Sequence, residues 1–330
     1  MKRSINLLAM TLIMSMAFVG CENQVTEPKN SLDEPPITYK GKALNNSGQT
    51  LSDEVSLADI MDSMNEYMAI KEQNYRVLMA EYITAEGSGE VGNTVIAKDV
   101  GNKQLGADFV PNDARRTWSN NGPIPLANDD ITYAIDQTGD AVPFFGGLTA
   151  AAATNSIQSA MGTWDSQSCS DLSLSQNADF GLDIGYIAFL NGLGGSPFVF
   201  ADVQHAGFRD INFGGGILGV AFTLVFVGPD GPTDIDNNGK SDVAFREIYY
   251  DPNYAWTNDG SGVDLETVAL HEAGHGLSQA HFGKLFITKN GKFKAAPLAV
   301  MNAGYTGPQR ELKGTDKGGH CSNWAEWPNN

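Results

Sequence analysis

Three of the five histidines in this 330-residue chain fall between positions 271 and 281. The stretch reads Asp264-Leu-Glu-Thr-Val-Ala-Leu-His-Glu-Ala-Gly-His-Gly-Leu-Ser-Gln-Ala-His281. On a helix, four steps of ~100° come to ~400°, so His271 and His275 leave the same face one turn apart. That spacing lets two imidazole nitrogens reach one tetrahedral zinc ion at roughly 2.0–2.1 Å. Glu272 is rotated ~100° from His271. It cannot share the ligand direction, but it can reach a water on the metal. Two ligands and a base are the parts of a hydrolytic site.

A third ligand is needed, and His281 lies six residues past His275. Were the helix to continue, His281 would sit ~9 Å further along the axis and on another face. The chain must therefore leave the helix just after His275, with Gly276 and Ser278 available for the turn. The helix itself starts after Gly260-Ser261-Gly262, where Asp264 is a good N-cap and Glu266 falls in the first turn. A bare pair of histidines at this spacing occurs on ordinary helices; the clustering of three is what points to a metal.

The elements that must position these residues are read from pattern. Ile131–Ile135 reads as a strand bounded by Asp129-Asp130 and Gly139. The Ala-rich run from Thr149 to Trp164 predicts a helix that packs Ile157, Met161 and Trp164. Phe198–Val203, Leu218–Val227 and Phe245–Tyr250 are apolar runs of strand length. Upstream, residues 57 to about 82 lack Gly and Pro, and Ile60, Met64, Met68 and Tyr75 recur near helical spacing. One helix is expected there, as a stalk or a propeptide remnant. Residues 87–111 read as a Gly-containing connector, and the compact domain is expected to begin near Arg115.

The N-terminus reads as an export signal. Lys2 and Arg3 precede the apolar stretch Leu7–Val19, which is too short to span a bilayer. Phe18-Val19-Gly20-Cys21 resembles a bacterial lipobox, with Phe18 in place of the usual Leu. Residues 1–20 are thus expected to be removed, and Cys21 to carry lipid; an ordinary secretory signal is the alternative. Residues 21–56, rich in Asn, Ser, Pro and acids, read as a tether. Outside the cytoplasm Cys169 and Cys321 could pair as a disulfide. The net charge of −18 argues against nucleic acid and anionic membrane surfaces as electrostatic partners.

Taken with Ala299-Val300-Met301-Asn302 downstream, the three histidines resemble the metzincin pattern, in which Met301 would form the Met-turn beneath the metal. Within the metzincins the chain resembles the matrixin-like (matrix metalloproteinase-type) family over roughly Trp118–Pro328. Ile131–Ile135 looks like its first strand, Gly219–Thr223 like the edge strand lining the substrate cleft, and Phe245–Tyr250 through Trp256 like the strand leading to the zinc helix. The resemblance implies an α+β fold with a twisted mixed sheet over residues 115–330. It implies a secreted zinc endopeptidase acting on proteins or peptides; lipid on Cys21 would hold it to the membrane, and a monomer is expected. His271, His275 and His281 would bind zinc, Glu272 would act as general base, and substrate would lie antiparallel to Gly219–Thr223. Tyr305 would border the specificity pocket or assist the oxyanion.

Several features depart from the family. Ser278 stands where glycine is usual, and Phe282 follows the third histidine. No cysteine switch precedes the domain, and only His205 and His320 remain for a structural zinc. Asp234, Asp236, Asn238 and Asp242 surround Gly239 with calcium-loop spacing, but the twelfth position is Phe245, so calcium and an ordinary Asx turn are both open. A surface-displayed binding protein or adhesin with a structural or vestigial zinc site is the competing reading; Glu272, useless to a purely structural site, argues against it.

Overall fold

The computed structural model describes residues 57–86, 104–116, 130–178, 181, 183–211 and 216–329. The export signal, Cys21, the tether, Trp118 and most of the connector lie outside these residues.

The described chain is mixed α and β. Its order is α1 (Leu57–Ile70), β1 (Tyr75–Thr84), β2 (Ala107–Asp108), β3 (Ile131–Ile135), α2 (Ala150–Asp165), β4 (Leu174–Gln176), α3 (Tyr186–Leu190), β5 (Val203–Phe208) and β6 (Ile217–Gly228). There follow β7 (Gly231–Pro232), β8 (Ser241–Tyr250), β9 (Trp256–Thr257), β10 (Val263–Asp264), α4 (Leu265–Gly276), β11 (Lys284–Ile287), β12 (Phe293–Ala296) and α5 (Gly314–Trp324). The main sheet runs β1-β6-β8-β5-β3-β4. Its β8-β5-β3-β4 half is parallel, whereas β1-β6 and β6-β8 are antiparallel. The chain thus has the mixed sheet with helices that an α+β reading expects.

Both sheet faces are covered, which is why β6 and β8 are apolar almost without alternation. On one face Trp164 of α2 and Val268 and Ala269 of α4 join Leu218, Ala221 and Ile248 in one core. On the other, Met61, Met64 and Met68 of α1 and Ile187 of α3 pack with Phe222 and Phe245.

Three readings need correction. The single helix expected over residues 57–82 ends at Ile70. Glu72 takes φ 55°, a left-handed turn, and the chain reverses into β1. Tyr75, Val77, Tyr82 and Ile83 are aromatic or β-branched residues that suit a pleated, buried strand. Nor does the compact domain begin near Arg115, because α1 and β1 belong to its cores. The strand expected at Phe198–Val203 instead starts at Val203; Phe198 is exposed, and buried Asp202 anchors the strand's entry through Arg116 and Thr132. The other predicted elements lie within a few residues of expectation. No helix among the described residues is long and apolar enough to cross a membrane.

Candidate metal centre

The helix α4 begins where its cap predicts. The Asp264 carboxylate accepts from the Thr267 backbone N–H at 3.0 Å and from the Thr267 hydroxyl at 2.6 Å. His271 and His275 emerge one turn apart and fully buried. The helix stops after Gly276, and Ser278 takes φ 65°, so the turn is left-handed despite the Cβ. Its hydroxyl accepts from the Arg246 guanidinium at 2.8 Å, and the same nitrogen donates to the Gly276 carbonyl at 3.0 Å. Arg246, a buried cation on β8, thus clamps the turn that returns His281 to the other two histidines.

The three Nε2 atoms lie 3.0 Å (His271–His275), 3.2 Å (His271–His281) and 3.2 Å (His275–His281) apart. Three ligands of a tetrahedral ion at 2.0–2.1 Å are separated by roughly 3.3 Å. The contact between His271 and His275 is not a hydrogen bond. His271 Nδ1 faces the Val300 carbonyl at 2.7 Å and His275 Nδ1 the Gln279 carbonyl at 2.8 Å. A carbonyl only accepts, so each Nδ1 carries the proton and the neutral ring leaves Nε2 as a bare lone pair. Burial pushes His271 down to about 4, and burial with mutual repulsion takes His275 and His281 well below the usual imidazole value. Two fixed lone pairs and the His281 Nε2, 3.2 Å from each, converge as the ligands of a shared cation do, and imidazole donors suit zinc.

Below the cluster, Met301 is buried against α4. A Cβ on Gly274 would come within 2.3 Å of Met301 Sδ and 2.9 Å of the Trp164 ring, so glycine is what lets the methionine reach the helix. Asp316 fixes this turn, accepting from the backbone N–H groups of Val300 at 3.0 Å and Met301 at 3.1 Å. The same turn supplies the carbonyl that orients His271.

Glu272 points to the side of the cluster, over Gly219 of β6. A Cβ there would lie 3.0 Å from Glu272 Cγ and 3.1 Å from Oε1. Burial holds the Glu272 carboxyl well above the usual carboxylate range. The Ile83 backbone amide, which faces the carboxylate without full hydrogen-bond geometry, opposes this, and the nearby Glu81 charge adds to it. Sequence reasoning missed Glu81. Its carboxylate lies 3.5 Å from His281 Nδ1, on the ring edge away from the cluster. The signal was present: one acid in the otherwise apolar run Val77–Ile83, fully buried in the fold.

Other expectations fare differently. Gly219–Thr223 is not the sheet edge: β1 lies outside it, with Ile83 opposite Gly219 and Met79 opposite Thr223. The Tyr305 hydroxyl is held by the Asp264 backbone N–H at 3.1 Å, so it caps α4 rather than facing the metal centre. Cys169 and Cys321 are joined as a disulfide that ties the segment after α2 to α5. His205 is bonded to the Tyr250 hydroxyl at 2.8 Å, and His320 stacks on Trp164; the two sit in separate environments and form no second histidine site. Asp234, Asp236 and Asp242 do bring carboxylate oxygens together. Those of Asp234 and Asp236 accept from the Asn238 backbone, and Asp242 is bound by Arg115 at 2.7 Å and the Thr233 hydroxyl at 2.6 Å.

No family model matches the chain, and no curated protein matches it.

Proposed function

We propose that this protein is a zinc-dependent endopeptidase of the metzincin type, similar to the matrixin-like family, exported and held at the cell envelope by lipid on Cys21. The observation that carries this reading is the convergence of three Nε2 atoms, two of them left as bare lone pairs, beside a buried, non-ligating Glu272. Bound by His271, His275 and His281, zinc would polarise a scissile carbonyl and make its water nucleophilic near neutral pH.

The chain's own residues supply the rest. Val300 and Gln279 hold two imidazoles in the ligating tautomer through their carbonyls, and the Glu81 carboxylate stands behind the third. Glu272 accepts the proton of the attacking water and delivers it to the leaving amine. Burial raises its proton affinity above that of an ordinary carboxylate, the direction in which general bases are tuned. A binding protein or adhesin with a structural zinc has no use for that carboxylate.

The test is cleavage of a broad peptide library by the zinc-loaded chain, before and after removing zinc with a chelator. Zinc-dependent internal cleavage that disappears in Glu272→Gln is the expected result. A zinc-bound wild type that cuts no library member under any condition would leave the binding-protein reading in its place.

A further inference from the structure

A peptidase that cuts within chains needs a groove for an extended peptide, and strand-like recognition pairs such a peptide with an exposed sheet edge. Here the edge of β6 nearest the metal centre is already paired. β1 runs antiparallel to β6 from Tyr75 opposite Phe226 to Thr84 opposite Ile217. Its far end is bonded on the other side too: Thr84 N donates to the Ala303 carbonyl at 3.4 Å, and Tyr305 N donates to the Thr84 carbonyl at 2.8 Å. Thr84 pairs in parallel with Gly304. The strand therefore lies in a slot between β6 and the segment that follows Met301.

Within four residues this strand meets the third histidine, the base and the segment that follows Met301. Glu81 stands beside His281, the Ile83 amide faces Glu272, and Thr84 is held by residues 303–305. His271, Glu272 and His275 are fully buried with β1 in place. A strand serving only to protect the edge of β6 would need no second set of bonds to residues 303–305, nor a path over the base.

We propose that β1 is the protein's own occupant of its peptide groove, a strand-shaped ligand that keeps the site closed until it is displaced. Extended polypeptide substrates bind in its place, antiparallel to β6 and parallel to residues 303–305. This rests on the hydrolase reading and adds to it a latent state that requires no thiol.

The test uses the full, zinc-loaded chain and a tripeptide hydroxamate, which ligates zinc and extends along the groove. Tyr82 packs in the core on the sheet face opposite α4, so Tyr82→Ala loosens β1 without touching the histidines or Glu272. Apparent affinity scales with the fraction of molecules whose groove is open. At equal zinc content, Tyr82→Ala is expected to bind the hydroxamate about tenfold more tightly than wild type. Saturating hydroxamate is also expected to speed amide hydrogen exchange across residues 75–84 of the wild type. A folded, zinc-bound Tyr82→Ala that binds no tighter, or more weakly, overturns the proposal. Should Tyr82→Ala fail to fold, Val77→Ala, in the same core, must shift affinity in the same direction. Tight, equal binding by all variants sinks the occupant and spares the hydrolase. Zinc-loaded variants that neither bind hydroxamate nor cut peptide sink both.

Discussion

Two regions gather metal-ligating side chains, and they do so in opposite ways. In the histidine cluster each fixed imidazole spends its outer nitrogen on a carbonyl and turns its inner lone pair towards the other two. In the loop Asp234–Asp242 the carboxylates accept from the loop's own backbone, from Thr233 and from Arg115, with Lys240 bound to neighbouring Asp108 at 3.0 Å. Spacing in the sequence brings donors together in both. What separates them is where the lone pairs go: the first set has them left over, and the second has already used them on protein donors, the Arg115 guanidinium among them.

The sharpest attack on this contrast is Glu272→Gln. It keeps the three ligands and removes the base, so zinc content is expected to hold while turnover falls by about 10²–10⁴-fold. Metal content and rate measured on one sample check it. Activity within a few-fold of wild type would remove Glu272 from the chemistry.

Next in size is Gly274→Ala, which drives a methyl group to 2.3 Å from Met301 Sδ. Overpacking of this kind costs about 1–3 kcal/mol, and because Val300 orients His271 it is expected to weaken zinc binding as well. Thermal melts with and without zinc read both effects. A melting temperature equal to wild type would show that Met301 does not support the cluster as described.

Ser278→Gly is a smaller and more pointed test. Relief of the left-handed backbone is worth roughly 1–2 kcal/mol, yet the serine hydroxyl is an acceptor for the buried Arg246 guanidinium. A lost bond to a charged group costs roughly 1.5–3 kcal/mol. The balance is a modest net loss of about 1 kcal/mol, opposite in sign to what the backbone alone would give. A stabilised mutant would show that the Arg246 clamp contributes little.

The smallest expected effect belongs to the loop. Asp236→Asn should change stability by less than about 0.5 kcal/mol, and millimolar calcium should not raise the wild-type melting temperature. A calcium-dependent rise abolished by Asp236→Asn would show that the loop does recruit a cation.

What could be read from the sequence follows the same division between local and distant causes. The helix α4 and its cap were legible, since Asp264, Glu266 and the histidine spacing are neighbours in the chain. β3 and α2 were legible from their own bounded patterns. β1 was hidden because a turn made by Glu72, rather than by Gly or Pro, joins it to α1 without a visible break. The start of β5 was misplaced because Gln204 and His205 are polar residues buried in a strand: Gln204 accepts from the Phe200 backbone N–H, and His205 is bonded to Tyr250, 45 positions away. Glu81 serves the site through His281, 200 positions along the chain, and Arg246 through Ser278, 32 positions along. No spacing rule reaches them.

The most direct measurement of the central claim is zinc stoichiometry by equilibrium dialysis on three proteins: wild type, His275→Ala and Asp236→Asn. The account requires about one tightly held zinc per wild-type chain, loss of that zinc in His275→Ala, and full retention in Asp236→Asn. Zinc still bound after His275→Ala, or lost after Asp236→Asn, would contradict it.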